Sequence, residues 1–160
     1  MDLKFTVSAH IARPAEEVFE AVADPDKLSR YFTTGGAKGR LDTGATVTWD
    51  FHDFPGAFPV EVVDVVPNEK IVLRWEANEG GPPESGDAAI GSAGYMTTVT
   101  MTFTALDDGR TRVEIAEEGW RETPGGLQAS YGNCMGWSQM LCALKAWIEH
   151  GINLREGMYK

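Results

Sequence analysis

The chain has 160 residues, 42% of them hydrophobic and 24% charged, and a formal net charge of −10. That length suits one domain able to bury roughly 70% of its unfolded surface, and the composition excludes disordered and fibrous classes. The acidic balance repels phosphate backbones and anionic lipid surfaces, so nucleic acid is excluded as a partner and ordinary solubility is the simplest consequence.

Residues 1–10 lack the basic start and apolar run of a secretory signal, and nowhere do about 18 apolar residues run together. A cytoplasmic protein without membrane insertion is expected. Leu3, Phe5, Val7, Ala9 and Ile11 alternate with Lys4, Thr6, Ser8 and His10, which predicts a half-buried strand. Pro14 suits the first turn of a helix whose Ala15, Val18, Phe19 and Val22 share a face. A second helix opens at Asp24-Pro25, where the carboxylate can cap free amides and proline takes the first position. Leu28, Tyr31 and Phe32 form its apolar side, and Gly35-Gly36 are expected to end it.

From Thr46 to His52 the pattern alternates again, with Val47, Trp49 and Phe51 on one face of a second strand. Pro55-Gly56 reads as a turn into a third strand, Phe58 to Val66, and Pro67 to Lys70 as a hairpin turn into a fourth, where Ile71, Leu73 and Trp75 share a face. Val99, Met101 and Phe103 then alternate with Thr98, Thr100 and Thr102 in a fifth strand. Val113 and Ile115 mark a sixth, joined to it through Asp107-Asp108-Gly109. Between the fourth and fifth strands, the Gly- and Pro-rich stretch Ala77 to Gly94 is expected to be either a functional lid or a disordered insertion.

A long amphipathic helix is predicted from about Ser130 to His150. Cys134, Trp137, Leu141, Leu144 and Ile148 fall at spacings of three and four, widened by Met140 and Trp147, and Gly151 ends it. Cys134 and Cys142 are two turns apart, too far for a disulfide, and free buried thiols are expected. Gly136 inside this helix should cost about 1 kcal/mol relative to Ala, which suggests a close approach of another element.

An antiparallel sheet with one apolar face must bury it, and only these helices are available to do so. The expected fold class is therefore α+β: an antiparallel sheet of about six strands covered by a long C-terminal helix, with two short helices after the first strand, in one domain spanning 1–160. Broad aromatic rings and adaptable Met side chains suit a pocket for a nonpolar ligand, although core packing explains each such residue taken singly. The candidate lining is Phe32 of the second short helix with Trp49, Phe51, Trp75, Met101 and Trp120 from the sheet side. Met135, Trp137, Met140, Leu141 and Leu144 come from the helix. A continuous internal cavity between Trp75, Met101 and Met140 is expected.

No catalytic, metal or cofactor signature is found. Gly35-Gly36-Ala37-Lys38-Gly39 lacks phosphate-loop spacing, and Gly136-Trp137-Ser138-Gln139 runs into Met140 instead of forming a nucleophile elbow. His10, His52 and His150 are isolated, and the two Cys have no His partner nearby. Asp50 and His52 share a parity opposite to Trp49 and Phe51, so they should face solvent, as should Arg74 and Glu76. Glu117 and Glu118 precede Trp120 and are placed to reach a pocket mouth.

Three segments together carry a family resemblance: Ala12-Arg13-Pro14-Ala15-Glu16-Glu17-Val18-Phe19, then Val72-Leu73-Arg74-Trp75, then Gly136-Trp137 before Leu141, Leu144 and Trp147. Their order and spacing resemble the SRPBCC superfamily of START-like helix-grip domains, specifically the subgroup resembling the C-terminal domain of the activator of the heat-shock-protein-90 ATPase. The resemblance implies a curved sheet gripping the long helix around a hydrophobic cavity. For function it implies binding of a small hydrophobic or aromatic molecule, without cofactor. The alternatives it carries are a cyclase- or aromatase-like enzyme, with Tyr31, His52 and Glu117 as polar candidates, and a co-chaperone-like stress-response protein. The activator has a further N-terminal domain that this sequence lacks, which weighs against ATPase stimulation. A homodimer is left open by the sequence.

Overall fold

The computed structural model describes residues 1–79 and 93–159, so most of the Ala77–Gly94 stretch, with the lid or insertion expected there, lies outside the described residues. In chain order the elements are β1 (Lys4–Ile11), α1 (Ala15–Ala23), α2 (Pro25–Leu28), β2 (Gly36–Lys38), β3 (Thr46–Phe51), β4 (Phe54–Val66), β5 (Lys70–Glu76), β6 (Met96–Ala105), β7 (Thr111–Glu118) and α3 (Pro124–His150). The strands form one antiparallel sheet in the order β1-β7-β6-β5-β4-β3-β2. The α+β class and the cover by a long C-terminal helix are as the alternation requires.

The described sheet has seven strands, where about six were expected. The extra one, β2, pairs only Gly36 to Lys38 with Asp50 to Thr48, too short a run for alternation to register. The β3–β4 reversal also differs from expectation. Phe51 faces Phe54 directly, so the chain turns at His52-Asp53 and Pro55-Gly56 lies within β4. Register shifts between Trp49 and Phe51 and between Val62 and Asp64 bend these strands as bulges do.

The parity reading holds across the sheet. Ile71, Leu73, Val99, Met101, Phe103, Val113 and Ile115 are buried in one core, with Val18, Phe19 and Val22 of α1. Asp24 caps α2 as expected, accepting from the amides of Asp26 at 2.9 Å and Lys27 at 3.3 Å. The helix stops at Leu28, well before Gly35, and Tyr31 and Phe32 reach the core from the turns that follow.

Helix α3 begins at Pro124, six residues earlier than its apolar pattern suggests, and its 27 residues run about 40 Å. Thr123 accepts from the Gly126 amide at 3.0 Å, and Pro124 occupies the first turn, where a missing N–H costs nothing. Gly126 is the glycine that a close approach demands, because a Cβ there would stand 1.9 Å from the Arg121 carbonyl oxygen. At Gly136 a Cβ would meet nothing within 4 Å, so the expected close approach is absent. Cys134 is half-buried and Cys142 exposed; both are free, but neither is the buried thiol expected, because they flank the apolar stripe instead of forming it.

Candidate functional site

The inward parity that buries Val113 and Ile115 on β7 continues to Glu117, placing a carboxylate inside the domain with 0% exposure. On the neighbouring strands Trp75 and Thr97 face each other in register, and on α3 Asn133 and Trp137 lie one turn apart. All four converge on Glu117. Its Oε1 accepts from the Trp137 indole at 2.7 Å and the Asn133 amide at 3.1 Å. Its Oε2 accepts from the Thr97 hydroxyl at 2.7 Å, the Trp75 indole at 3.0 Å and Asn133 again at 3.1 Å. A carboxylate offers about four lone-pair sites, so these donors satisfy it while tying three strands to the helix.

Around this hub the aromatic candidates meet. Trp137 lies with its ring centroid 5.5 Å from both Trp75 and Phe32, and 6.5 Å from Trp49. Trp49 crosses Trp75 edge-on at 5.7 Å, and Phe32 meets Phe51 at 5.1 Å. Met101, Met140, Leu141 and Leu144 are buried in the same core. Nine of the eleven expected lining residues are therefore brought together, but their side chains fill the space between sheet and helix. The continuous cavity expected between Trp75, Met101 and Met140 is not found among the described residues. Two shallow concavities instead lie at the outer sheet surface, around Thr98, Glu118 and Trp120 and around Thr6, Thr100 and Glu118.

Two candidates fall elsewhere. Met135 is 55% exposed, because two residues correspond to about 200° of helix, and it points away from the side Trp137 occupies. Trp120 lies beyond the end of β7 in a separate cluster with Ala77 and Ala129, stacked on Phe5 at 5.5 Å.

The structure also reveals buried polar features with weak or no sequence signal. The Trp49 indole N–H, on a residue 1% exposed, has no hydrogen-bond acceptor. Beside Phe32 and Phe51, Arg155 from the tail after α3 pairs with Asp53 at 2.9 Å, and both side chains are buried. The guanidinium lies 4.7 Å from the Phe51 ring centroid and 5.0 Å from that of Tyr159. Burial raises the Tyr159 phenol above its ordinary 10.0, partly opposed by Arg155.

The other polar candidates are engaged structurally or face solvent. Tyr31 is fully buried and donates to the Ala21 carbonyl at 2.9 Å, and burial pushes its phenol well above 10.0. His52 is exposed and bonded to Thr34, Arg74 and Glu76 are exposed, and Glu118 points outward as its parity requires. No cluster of three or more His, Cys, Asp or Glu suited to a metal occurs among the described residues. No described helix is long and apolar enough to cross a membrane.

Residues 12–149 match the model of a family described as Activator of Hsp90 ATPase homolog 1-like protein. The chain belongs to this family. No significant match is found among curated proteins. The fold of this Activator of Hsp90 ATPase homolog 1-like chain recurs in solved structures. Protein SSP2350 of Staphylococcus saprophyticus is 23% identical with a TM-score of 0.74, over 95% of this chain and 96% of that one. The Aha1 dimer of Colwellia psychrerythraea is 21% identical with a TM-score of 0.69, over 92% and 97%. DynU16, from the dynemicin biosynthetic locus, is 24% identical with a TM-score of 0.73; the match covers 94% of this chain but 49% of DynU16. At these identities the likeness establishes the helix-grip fold.

Proposed function

We propose that this domain binds a small aromatic or apolar molecule between the sheet and α3, against Trp49, Trp75 and Trp137. The observation that carries the reading is the buried Trp49 N–H without an acceptor, in the middle of an aromatic wall. An unpaired buried donor costs about 1–3 kcal/mol, and a ligand oxygen or nitrogen placed there removes that cost. Because the rings are in contact, binding has to part them. The ligand is held noncovalently, without cofactor, and the free thiols suit a cytoplasmic setting.

The test is titration with 2-naphthol, followed by native mass spectrometry and by tryptophan fluorescence. A one-to-one complex is expected, and Trp49→Phe should weaken it by about fivefold, the worth of one hydrogen bond. Absence of a complex at millimolar naphthol sinks the reading.

A second reading, cyclase-like proton transfer, draws support from Glu117 as a carboxylate inside the domain. Glu117 has to release a donor before it can take a proton, so we favour an anchoring role. A homodimer is the assembly to test first by sedimentation, since the Colwellia Aha1 structure is a dimer and the outer face of α3 exposes Tyr131 and Met135.

A further inference from the structure

Three charged side chains are buried among the described residues: Asp53, Glu117 and Arg155. Asp53 and Arg155 neutralise each other across 2.9 Å. Glu117 forms no ion pair; its partners are two indoles, an amide and a hydroxyl. Among the described residues, one buried carboxylate thus has no cation beside it.

The partners are matched to the charged form. An indole N–H and an amide NH₂ can only donate, so the Trp75, Trp137 and Asn133 groups all require acceptor oxygens. Trp75 and Trp137 direct their N–H edges at Glu117, and their rings, 5.5 Å apart, form part of the aromatic wall. Ring faces carry the negative end of the quadrupole and attract cations. An anion hydrogen-bonded to the N–H edges of two such rings, inside a low-dielectric interior, favours positive charge and opposes a second negative one.

We infer that Glu117 sets the charge selectivity of the proposed chamber: it admits an aromatic or apolar ligand carrying a cationic nitrogen and rejects the corresponding carboxylate. This rests on the chamber reading above. Glu117 acts through field and through the Trp75 and Trp137 rings, which makes it a specificity-determining residue.

The experiment measures dissociation constants of the full chain for three probes with one ring system, 2-naphthylmethylammonium, 2-naphthylmethanol and 2-naphthoate, by calorimetry. The ammonium should bind at least about tenfold tighter than the alcohol, and the carboxylate correspondingly weaker. The acidic surface of this chain also attracts cations, so the series is repeated near 1 M salt, where the Debye length falls to about 3 Å. A preference set by buried Glu117 survives there; one that collapses overturns the inference. Glu117→Gln, checked for cooperative unfolding, should narrow the ammonium-to-carboxylate ratio to within about threefold, a ratio taken within the variant so that any common change in affinity from re-seating Trp75 and Trp137 cancels. Binding of the alcohol with no ammonium preference in the wild-type chain overturns the inference alone. Failure of all three probes to bind removes the chamber reading and the inference with it.

Discussion

Two carboxylates are buried among the described residues, and they are held in opposite ways. Glu117 receives neutral donors from β5, β6 and α3, elements fixed in the body of the fold. Asp53 is held by a single ion pair to Arg155, in a tail that follows the end of α3. The tail's backbone bonds run only to the last turn of α3 and within itself, through Gly151, Ile152 and Met158. One carboxylate is thus held by four neutral donors from the sheet and α3 and the other by one cation from the segment after α3, so equal burial should not mean equal consequence.

The largest expected effect is at Glu117. Its replacement by Leu strands the donors of Trp75, Thr97, Asn133 and Trp137, and should cost about 4 kcal/mol in urea unfolding. Breaking a buried ion pair usually costs about 3–5 kcal/mol, but truncating Arg155 near the end of the chain leaves a gap through which water is expected to reach Asp53. Arg155→Ala should therefore cost about 2 kcal/mol by the same measurement. A loss matching that of the Glu117 variant would break the comparison. The double change Asp53→Leu with Arg155→Leu should fall within about 1 kcal/mol of wild type, since an apolar pair avoids the desolvation cost.

Partly buried carboxylates set the lower end of the scale. Asp24 caps α2 through two backbone amides, and Asp24→Ala should lower stability by about 1 kcal/mol, read from the same unfolding curves. The smallest effect concerns pH at Glu149, whose carboxylate accepts from Lys145 and from the Ala12 amide at 3.1 Å, joining α3 to the end of β1. The Lys145 bond chiefly holds its pKa below the ordinary 4.5. A depressed folded pKa contributes stability above pH 4.5 that is lost as pH falls through the lower folded value. Glu149→Gln should therefore flatten that part of the acid-unfolding profile, and an unchanged profile would show the link contributes nothing.

Alternation and helical spacing made most of the fold legible before any coordinates. Val99, Met101 and Phe103 against their threonines, and Leu141 with Leu144 on α3, are buried as their parity requires. Where local signals competed, reading failed. The apolar pattern places the start of the long helix near Ser130, yet Thr123 and Pro124 start it six residues earlier, and Gly126 is needed for its approach to Arg121. Pro55-Gly56 resemble a turn, yet pairing of Phe51 with Phe54 sets the reversal earlier.

The site was legible as a list of large side chains and illegible as an arrangement. Parity alone put Glu117 on the face of Ile115, because a strand has only two faces. That face became a hub once β5, β6 and α3 delivered four donors from residues 75, 97, 133 and 137, separations no periodicity spans. Arg155 had no signal at all, since a short tail has neither a period nor a face until it meets Asp53. Sequence by itself determined which residues turn inward, a consequence of backbone geometry repeated every two or 3.6 residues. Only tertiary structure decided what they meet there, because filled space and paired charge depend on elements remote in the chain.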